Sequence, residues 1–248
     1  RLKQNLGFSG GSNIGIKKAL EHGAEFTLLL NNDTIVTKNF LSELVNASQT
    51  PEAYRIIGGK IFYHRSGNTL WYKGGYISKL TGGGIHREKG RRENGVPKAG
   101  VFPVTFVTGC MCLIHKSVFK EIGLLDTSYF LYCEDTDFCM RAGKRGIPMA
   151  VNPASIIYHK ERSTKNGWQP DHIYYLVRNR ILFMQRFKGP HSFLPLFYIF
   201  LLLIGALPAL LWALSGRTNL LKASVCGFMD GIQKITGPRD LPQRKRPG

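Results

Sequence analysis

Residues 26–30, Phe-Thr-Leu-Leu-Leu, form an almost unbroken apolar run that stops abruptly at Asn31-Asn32-Asp33-Thr34. A run this short, ended by turn-forming residues, fits a strand buried on both faces with polar side chains at its carboxyl end. Such strands belong to α/β sheets flanked by helices, whose ligands collect outside the carboxyl ends of the strands. The surrounding pattern agrees. Residues 12–22 read as a helix that stops at Gly23, a residue suited to a left-handed cap. Thr37 reads as the N-cap of a second helix with Phe40, Leu41, Leu44 and Val45 along one face. Strand character recurs over 56–76, 101–107, 110–114 and 148–158, and helices are expected over 116–122, 134–145 and 171–187. The last of these would turn Ile173, Val177, Ile181, Met184 and Phe187 inward. Residues 81–95 are glycine-rich and basic without an apolar period, and read as a mobile loop.

With 248 residues and 43% hydrophobic content, the chain can bury a full core as one domain with an appendage. The division expected is an α/β domain over 1–188 and a hydrophobic segment with a basic tail over 189–248. The chain opens on Arg1-Leu2-Lys3, which is neither a signal region nor a transit peptide, so its amino terminus reads as cut. The five cysteines contain no C-x-x-C pair and are odd in number. That fits neither a disulfide framework nor a zinc site and favours a reducing, cytoplasmic setting.

A net charge of +18 calls for an anionic partner, whether nucleic acid, an acidic membrane surface or phosphorylated substrates. The cations cluster in the 81–95 loop (Arg87, Lys89, Arg91, Arg92), around the apolar segment (Lys188, Arg217, Lys222) and in the tail (Arg244, Lys245, Arg246). They frame a membrane better than they track a nucleic-acid groove. The segment they frame, residues 193–214, carries no charge and is long enough to cross a bilayer core as a helix. Pro195 and Pro208 would kink it, so lying in the membrane interface is the other reading.

Three constellations could carry chemistry. Asp33, at a strand end, suits a hard divalent ion that shares its ligands with substrate phosphates, although Asn31-Asn32-Asp33 could equally build a turn. Glu134, Asp135 and Asp137 crowd the start of a helix. Capping explains one acid, whereas three repel one another and raise the pKa of at least one, as a general base requires. His159 follows an apolar strand and gains a role only if it meets Asp33. Arg178 and Arg180 could neutralise a diphosphate or simply line a solvated helix face.

Taken in order, the motifs resemble those of glycosyltransferase family 2, especially its bacterial rhamnosyltransferase-like members. The likeness is carried by Asn5-Leu6-Gly7-Phe8-Ser9-Gly10-Gly11-Ser12-Asn13, Leu28-Leu29-Leu30-Asn31-Asn32-Asp33-Thr34 and Val107-Thr108-Gly109-Cys110. It continues through Gly123-Leu124-Leu125-Asp126 and Phe130-Leu131-Tyr132-Cys133-Glu134-Asp135-Thr136-Asp137. The resemblance implies a GT-A fold, a Rossmann-like mixed sheet flanked by helices, here without the family's first strands and therefore with an unpaired sheet edge. It implies inverting transfer of a hexosyl or deoxyhexosyl unit, rhamnosyl among them, from a nucleotide-sugar to a lipid-linked or other saccharide acceptor. It also implies Mg²⁺ or Mn²⁺ at Asp33 and His159, with Asn31 in place of the first aspartate of the family's D-x-D motif. Asp135 would be the catalytic base, Glu134 and Asp137 would tune its charge or hold the acceptor, and Asn13, Asn31, Gly109 and Arg178 would contact substrate. The place of action would be the cytoplasmic face of the cell membrane. Nucleic acid is not expected as a partner, because carboxylates in a cleft repel phosphates in the absence of a metal. The competing reading is a noncatalytic, basic, membrane-associated module derived from such an enzyme.

Overall fold

A computed structural model describes residues 2–78, 80–93, 100–160, 168–187 and 194–239, without the side chains of residues 194, 200, 202–204, 206 and 207. Lys188, Arg244, Lys245 and Arg246 lie outside the described residues, as do positions 94 and 95 of the basic loop. In chain order the elements are α1 (Gly7–Glu21), β1 (Phe26–Leu30), β2 (Thr34–Val36), α2 (Phe40–Ser48), β3 (Ile56–Tyr63), β4 (Leu70–Tyr72), β5 (Gly75–Ser78) and β6 (Gly83–His86). After them come β7 (Phe102–Pro103), β8 (Met111–His115), α3 (Lys116–Ile122), a 3₁₀ turn (Thr127–Tyr129), α4 (Glu134–Lys144), β9 (Met149–His159), α5 (Pro170–Arg186), α6 (Leu194–Leu214) and α7 (Thr218–Ile232).

The main sheet runs β1-β8-β3-β9-β2, with β4 added to β3 and β7 added to β9. Strands β3 and β9 are parallel, whereas β8 is antiparallel to both β1 and β3. This is the mixed sheet expected. β3 is buried along nearly its whole length, and its Ile56, Ile57 and Ile61 pack with Met111, Ile114, Val151 and Ile157 in one core. β1 differs from expectation: only Leu29 is buried, the rest being half-buried or exposed. The reason is its place at the end of the sheet, with β8 as its one neighbour among the described residues.

Three local expectations are corrected. α1 begins at Gly7 rather than at residue 12, and a Cβ there would stand 2.2 Å from the carbonyl oxygen of Phe130, so the glycine is required by close approach. Thr37 does not cap α2; its hydroxyl donates to the Ile156 carbonyl at 2.8 Å and ties the incoming chain to β9. The basic loop is partly ordered structure, since β6 pairs with β5 in register from Gly75 opposite His86. Beyond β6, Gly90 N–H donates to the Leu70 carbonyl (2.8 Å) and Glu93 N–H to that of Asn68 (2.9 Å). Glu93 also receives the buried Lys60 ammonium at 2.7 Å.

The carboxyl-terminal helices pack on the sheet domain. α7 lies along α5 through Gly227 and Gly231: a Cβ at Gly227 would sit 2.6 Å from the Tyr174 carbonyl oxygen, and one at Gly231 would sit 2.9 Å from Ile181 Cβ. Only hydrogen fits there. In α6, Phe197 is fully buried and the Tyr198 hydroxyl accepts from Gln185 at 3.3 Å. Part of that helix is therefore committed to protein. Among the described residues no helix is long and apolar enough to cross a membrane, so the spanning expectation for residues 193–214 is not supported.

Candidate functional site

Asp33 and His159 are 126 positions apart, and β2 brings them together. Past Leu30, Asn31 N–H donates to the Cys110 carbonyl (3.0 Å), and the Thr34 hydroxyl closes the turn on the Asn31 carbonyl (2.8 Å). β2 then pairs with the end of β9, setting Thr34 opposite His159. As a result Asp33 Oδ1 lies 3.1 Å from His159 Nε2. The carboxylate is 42% exposed and the imidazole 8%, so the pair presents an oxygen to solvent and backs it with a fixed ring. The His159 ring packs edge-on against Trp71, with centroids 4.8 Å apart, and Trp71 in turn meets His86 at 4.6 Å. Burial pushes His86 down to about 4, so its imidazole is neutral at physiological pH. His159 Nδ1 and Trp71 Nε1 are buried without a hydrogen-bond partner among the described residues.

The residues present fit a shared metal. Among the described residues no group of three or more His, Cys, Asp or Glu side chains could hold an ion. A half-exposed carboxylate beside an imidazole does match a hard cation that takes most of its oxygens from substrate phosphates and water.

The acids at the start of α4 are presented by a strained turn. Phe130, Tyr132 and Cys133 all have positive φ, at 60°, 68° and 69°, and each such non-glycine residue costs on the order of 1–3 kcal/mol. Asn179 offsets that strain: its Nδ2 donates to the carbonyls of Tyr129, Leu131 and Tyr132 at 2.7–2.8 Å. Arg178, fully buried, reaches the carbonyls of Tyr129 (3.0 Å), Ser128 (3.3 Å) and Gly237 (2.6 Å). Helix α5 thus straps down the turn that carries the acids.

Each acid then meets a different environment. Asp135 Oδ2 accepts from the Gly109 N–H at 3.0 Å and Oδ1 from the Thr136 N–H at 2.7 Å. It remains half-buried, and desolvation raises its pKa against the pull of those bonds. Glu134 is 6% exposed, and its Oε2 has no partner among the described residues. Burial, with Asp135 beside it, pushes it up to about 8. Asp137 faces the other way, held by Arg141 (2.7 Å), Arg186 (3.2 Å) and the Tyr129 hydroxyl (3.2 Å); burial raises its pKa while both arginines oppose the shift. A proton resident on Glu134 has a measurable consequence. Because its folded pKa lies above the ordinary 4.5, its contribution to stability is complete below that value and is lost as pH climbs through about 8. Thermal melts between about pH 5 and pH 8 should show wild-type stability falling with pH, and Glu134→Gln should flatten that slope.

Two groups of expected residues are therefore assembled, Asp33 with His159 and Gly109 with Glu134 and Asp135. They share one end of the sheet, because the Asn31–Cys110 bond joins the approach to Asp33 to the residue after Gly109. Asn13 is spent on structure, with both ends of its amide bonded to the Leu125 backbone at 2.8 and 3.1 Å. Arg178 and Asp137 are internal ties rather than open contacts. Arg180, on the same helix, is half-buried, and a Cβ on Gly83 would meet its Nε at 3.6 Å. Trp71 and Phe8, the latter 3.2 Å from a Cβ on Gly109, are neighbours that no spacing in the sequence marks. The two cavities described lie elsewhere: one is lined by Asp126, Gln185, Arg186 and Lys234, the other lies between α5 and α7.

A family model described as "Glycosyltransferase like family 2" matches residues 2–171. The low-salt glycan biosynthesis hexosyltransferase of Haloferax volcanii is 26% identical over 245 residues, covering 94% of this chain and 75% of the relative. The dTDP-rhamnosyl transferase of Shigella flexneri is 26% identical over 244 residues, covering 95% and 78%. An N-acetylglucosaminyl-diphospho-decaprenol L-rhamnosyltransferase of Mycobacterium tuberculosis is 38% identical over 63 residues, covering 25% of this chain and 20% of the relative. In fold, the crystal structure of GalNAc-T7 with UDP, GalNAc and Mn²⁺ superposes with a TM-score of 0.53 at 17% identity. That match covers 75% of this chain and 35% of the other.

Proposed function

The chain belongs to the glycosyltransferase like family 2, and from that premise we propose that it transfers a hexosyl or deoxyhexosyl unit, rhamnosyl in particular, from a nucleotide-sugar to a lipid-linked saccharide, with inversion. The observation that carries this reading is the bond from Gly109 N–H to Asp135, which fixes a half-buried carboxylate beside the strand end that leads to Asp33. Asp135 takes the proton of the acceptor hydroxyl as the new O–C1 bond forms and the bond from C1 to the diphosphate oxygen breaks. An exposed aspartate near pKa 3.9 would be a feeble base; desolvation of Asp135 moves it toward usefulness. Glu134 keeps its proton and limits the negative charge around the acceptor. Asp33, with His159 at its side, would hold Mg²⁺ or Mn²⁺, which when bound supplies positive charge to the departing nucleoside diphosphate. Arg180 suits the same anion better than Arg178, whose guanidinium is fully engaged. The relatives named for glycan biosynthesis, dTDP-rhamnosyl transfer and a diphospho-decaprenol acceptor support the donor and acceptor classes. The free state of all five cysteines and the cations around α6 and α7 support action at the cytoplasmic face of a membrane.

The test is a panel of nucleotide-sugars, dTDP-rhamnose included, incubated with the protein and Mn²⁺ or Mg²⁺ and scored for nucleoside diphosphate. Release that a chelator stops and that Asp33→Ala lowers by about 10²-fold or more is the expected result. If no donor yields metal-dependent release, the noncatalytic reading replaces this one.

A further inference from the structure

We infer that α7 is a membrane-docking helix that lies flat on an anionic bilayer surface. The side of α7 that meets α5 is built from Ala223, Gly227 and Gly231. Its outward stripe, at positions 222, 225, 229 and 232, repeats at helical spacing and reads Lys222, Val225, Met229, Ile232. The three apolar members are 54%, 47% and 43% exposed. A helix that ends its exposure in water normally carries polar residues on such a face, so a contiguous apolar stripe marks a contact surface. Leu210, Leu211 and Leu214, at the end of α6 just before it, are exposed by 54–77%.

Charge selects the partner. From residue 194 to residue 248 the sequence has seven cations, Arg217, Lys222, Lys234, Arg239, Arg244, Lys245 and Arg246, against two acids, Asp230 and Asp240. Asp230 is 5% exposed and is occupied by the Tyr174 hydroxyl (2.6 Å) and Arg239 (3.0 Å). Among the described residues the face offered to solvent is therefore apolar with Lys222 and Lys234 beside it, the pattern of an interfacial helix on anionic lipid. A second copy of the chain fits less well, because a twofold contact on this stripe would set Lys222 and Lys234 among their own kind on a protein already at +18. A cavity of about 380 Å³, lined by Pro170, Leu221, Lys222, Val225 and Cys226, opens on the same helix and offers an apolar recess beside a cation for a phospholipid.

The inference extends the proposed action on a lipid-linked acceptor, but it is read without any substrate, so failure of the transferase reading leaves it standing and its own failure leaves turnover in solution intact. The measurement is flotation of the protein with phosphatidylcholine vesicles with and without phosphatidylglycerol. Binding to the anionic vesicles is expected, with release by alkaline carbonate. Lys222→Gln should weaken it about fivefold, and Val225→Glu with Met229→Glu should weaken it about tenfold or more. These sites are exposed, so circular dichroism and melting should be unchanged. Equal binding by the double variant, no binding at all, resistance to carbonate, or a light-scattering dimer that the double variant dissociates would each overturn the inference.

Discussion

Asp135→Asn should lower the rate of sugar transfer by about 10³-fold, within the 10²–10⁴ that a positioned general base contributes, while nucleoside diphosphate binds as before. The substitution is nearly isosteric, and its one carbonyl oxygen can still accept from the Gly109 N–H that Asp135 now engages at 3.0 Å. The Thr136 N–H, now 2.7 Å from the other oxygen, loses its acceptor, and a melt of the variant measures that cost of about 1–3 kcal/mol. What is lost is the basic oxygen. Single-turnover rates with donor and acceptor saturating, set beside the affinity for the released diphosphate, separate the two effects. Glu134→Gln serves as the internal contrast: a side chain already protonated at neutral pH, pushed up to about 8 by burial, loses little by becoming an amide. Turnover of the Asp135 variant at the wild-type rate would show that the proton leaves by another route.

The features legible in the sequence are those that local chemistry dictates. Gly23 and Gly123 end α1 and α3 at φ of 78° and 73°, a backbone conformation that favours glycine. The acids of α4 occupy its first turn, with Arg141 and Lys144 in its last, as the helix dipole favours. Other features depend on partners that are remote in sequence. The glycines at 82–84 read as a loop because they carry no apolar period, yet they are what lets Phe106 and α5 approach β6: a Cβ at Gly84 would fall 2.5 Å from the Phe106 ring and one at Gly82 2.6 Å from Met184 Cγ. Asp137 and Arg178 read as site residues in the sequence, because a charge in a motif gives no sign of which way it points, and both turn inward. The Asp33–His159 contact is made through β2, whose Thr34, Ile35 and Val36 suit a strand but are too few to show an alternating period in the sequence.

Arg178→Ala should unfold the protein more readily than any substitution at Glu134 or Asp135. It would strip a fully buried side chain of its bonds to Ser128, Tyr129 and Gly237 carbonyls. The Gly237 carbonyl alone is left without its donor, at about 1–3 kcal/mol, because the Ser128 carbonyl still accepts from the Gly237 N–H and that of Tyr129 from Asn179. The guanidinium also stacks on Tyr174 and Tyr175, 5.3 and 4.9 Å from the ring centroids, and neither contact survives truncation. Urea unfolding should therefore show a lower midpoint with an unchanged slope. Asn179→Ala separates support of the turn from the rest: it frees the Leu131 and Tyr132 carbonyls and lets residues 130–133 relax from their positive φ. Activity should then fall by more than stability does, because the relaxed turn no longer holds Asp135 against Gly109. If Arg178→Ala instead left stability intact and selectively raised the donor KM, the guanidinium would be a substrate contact after all.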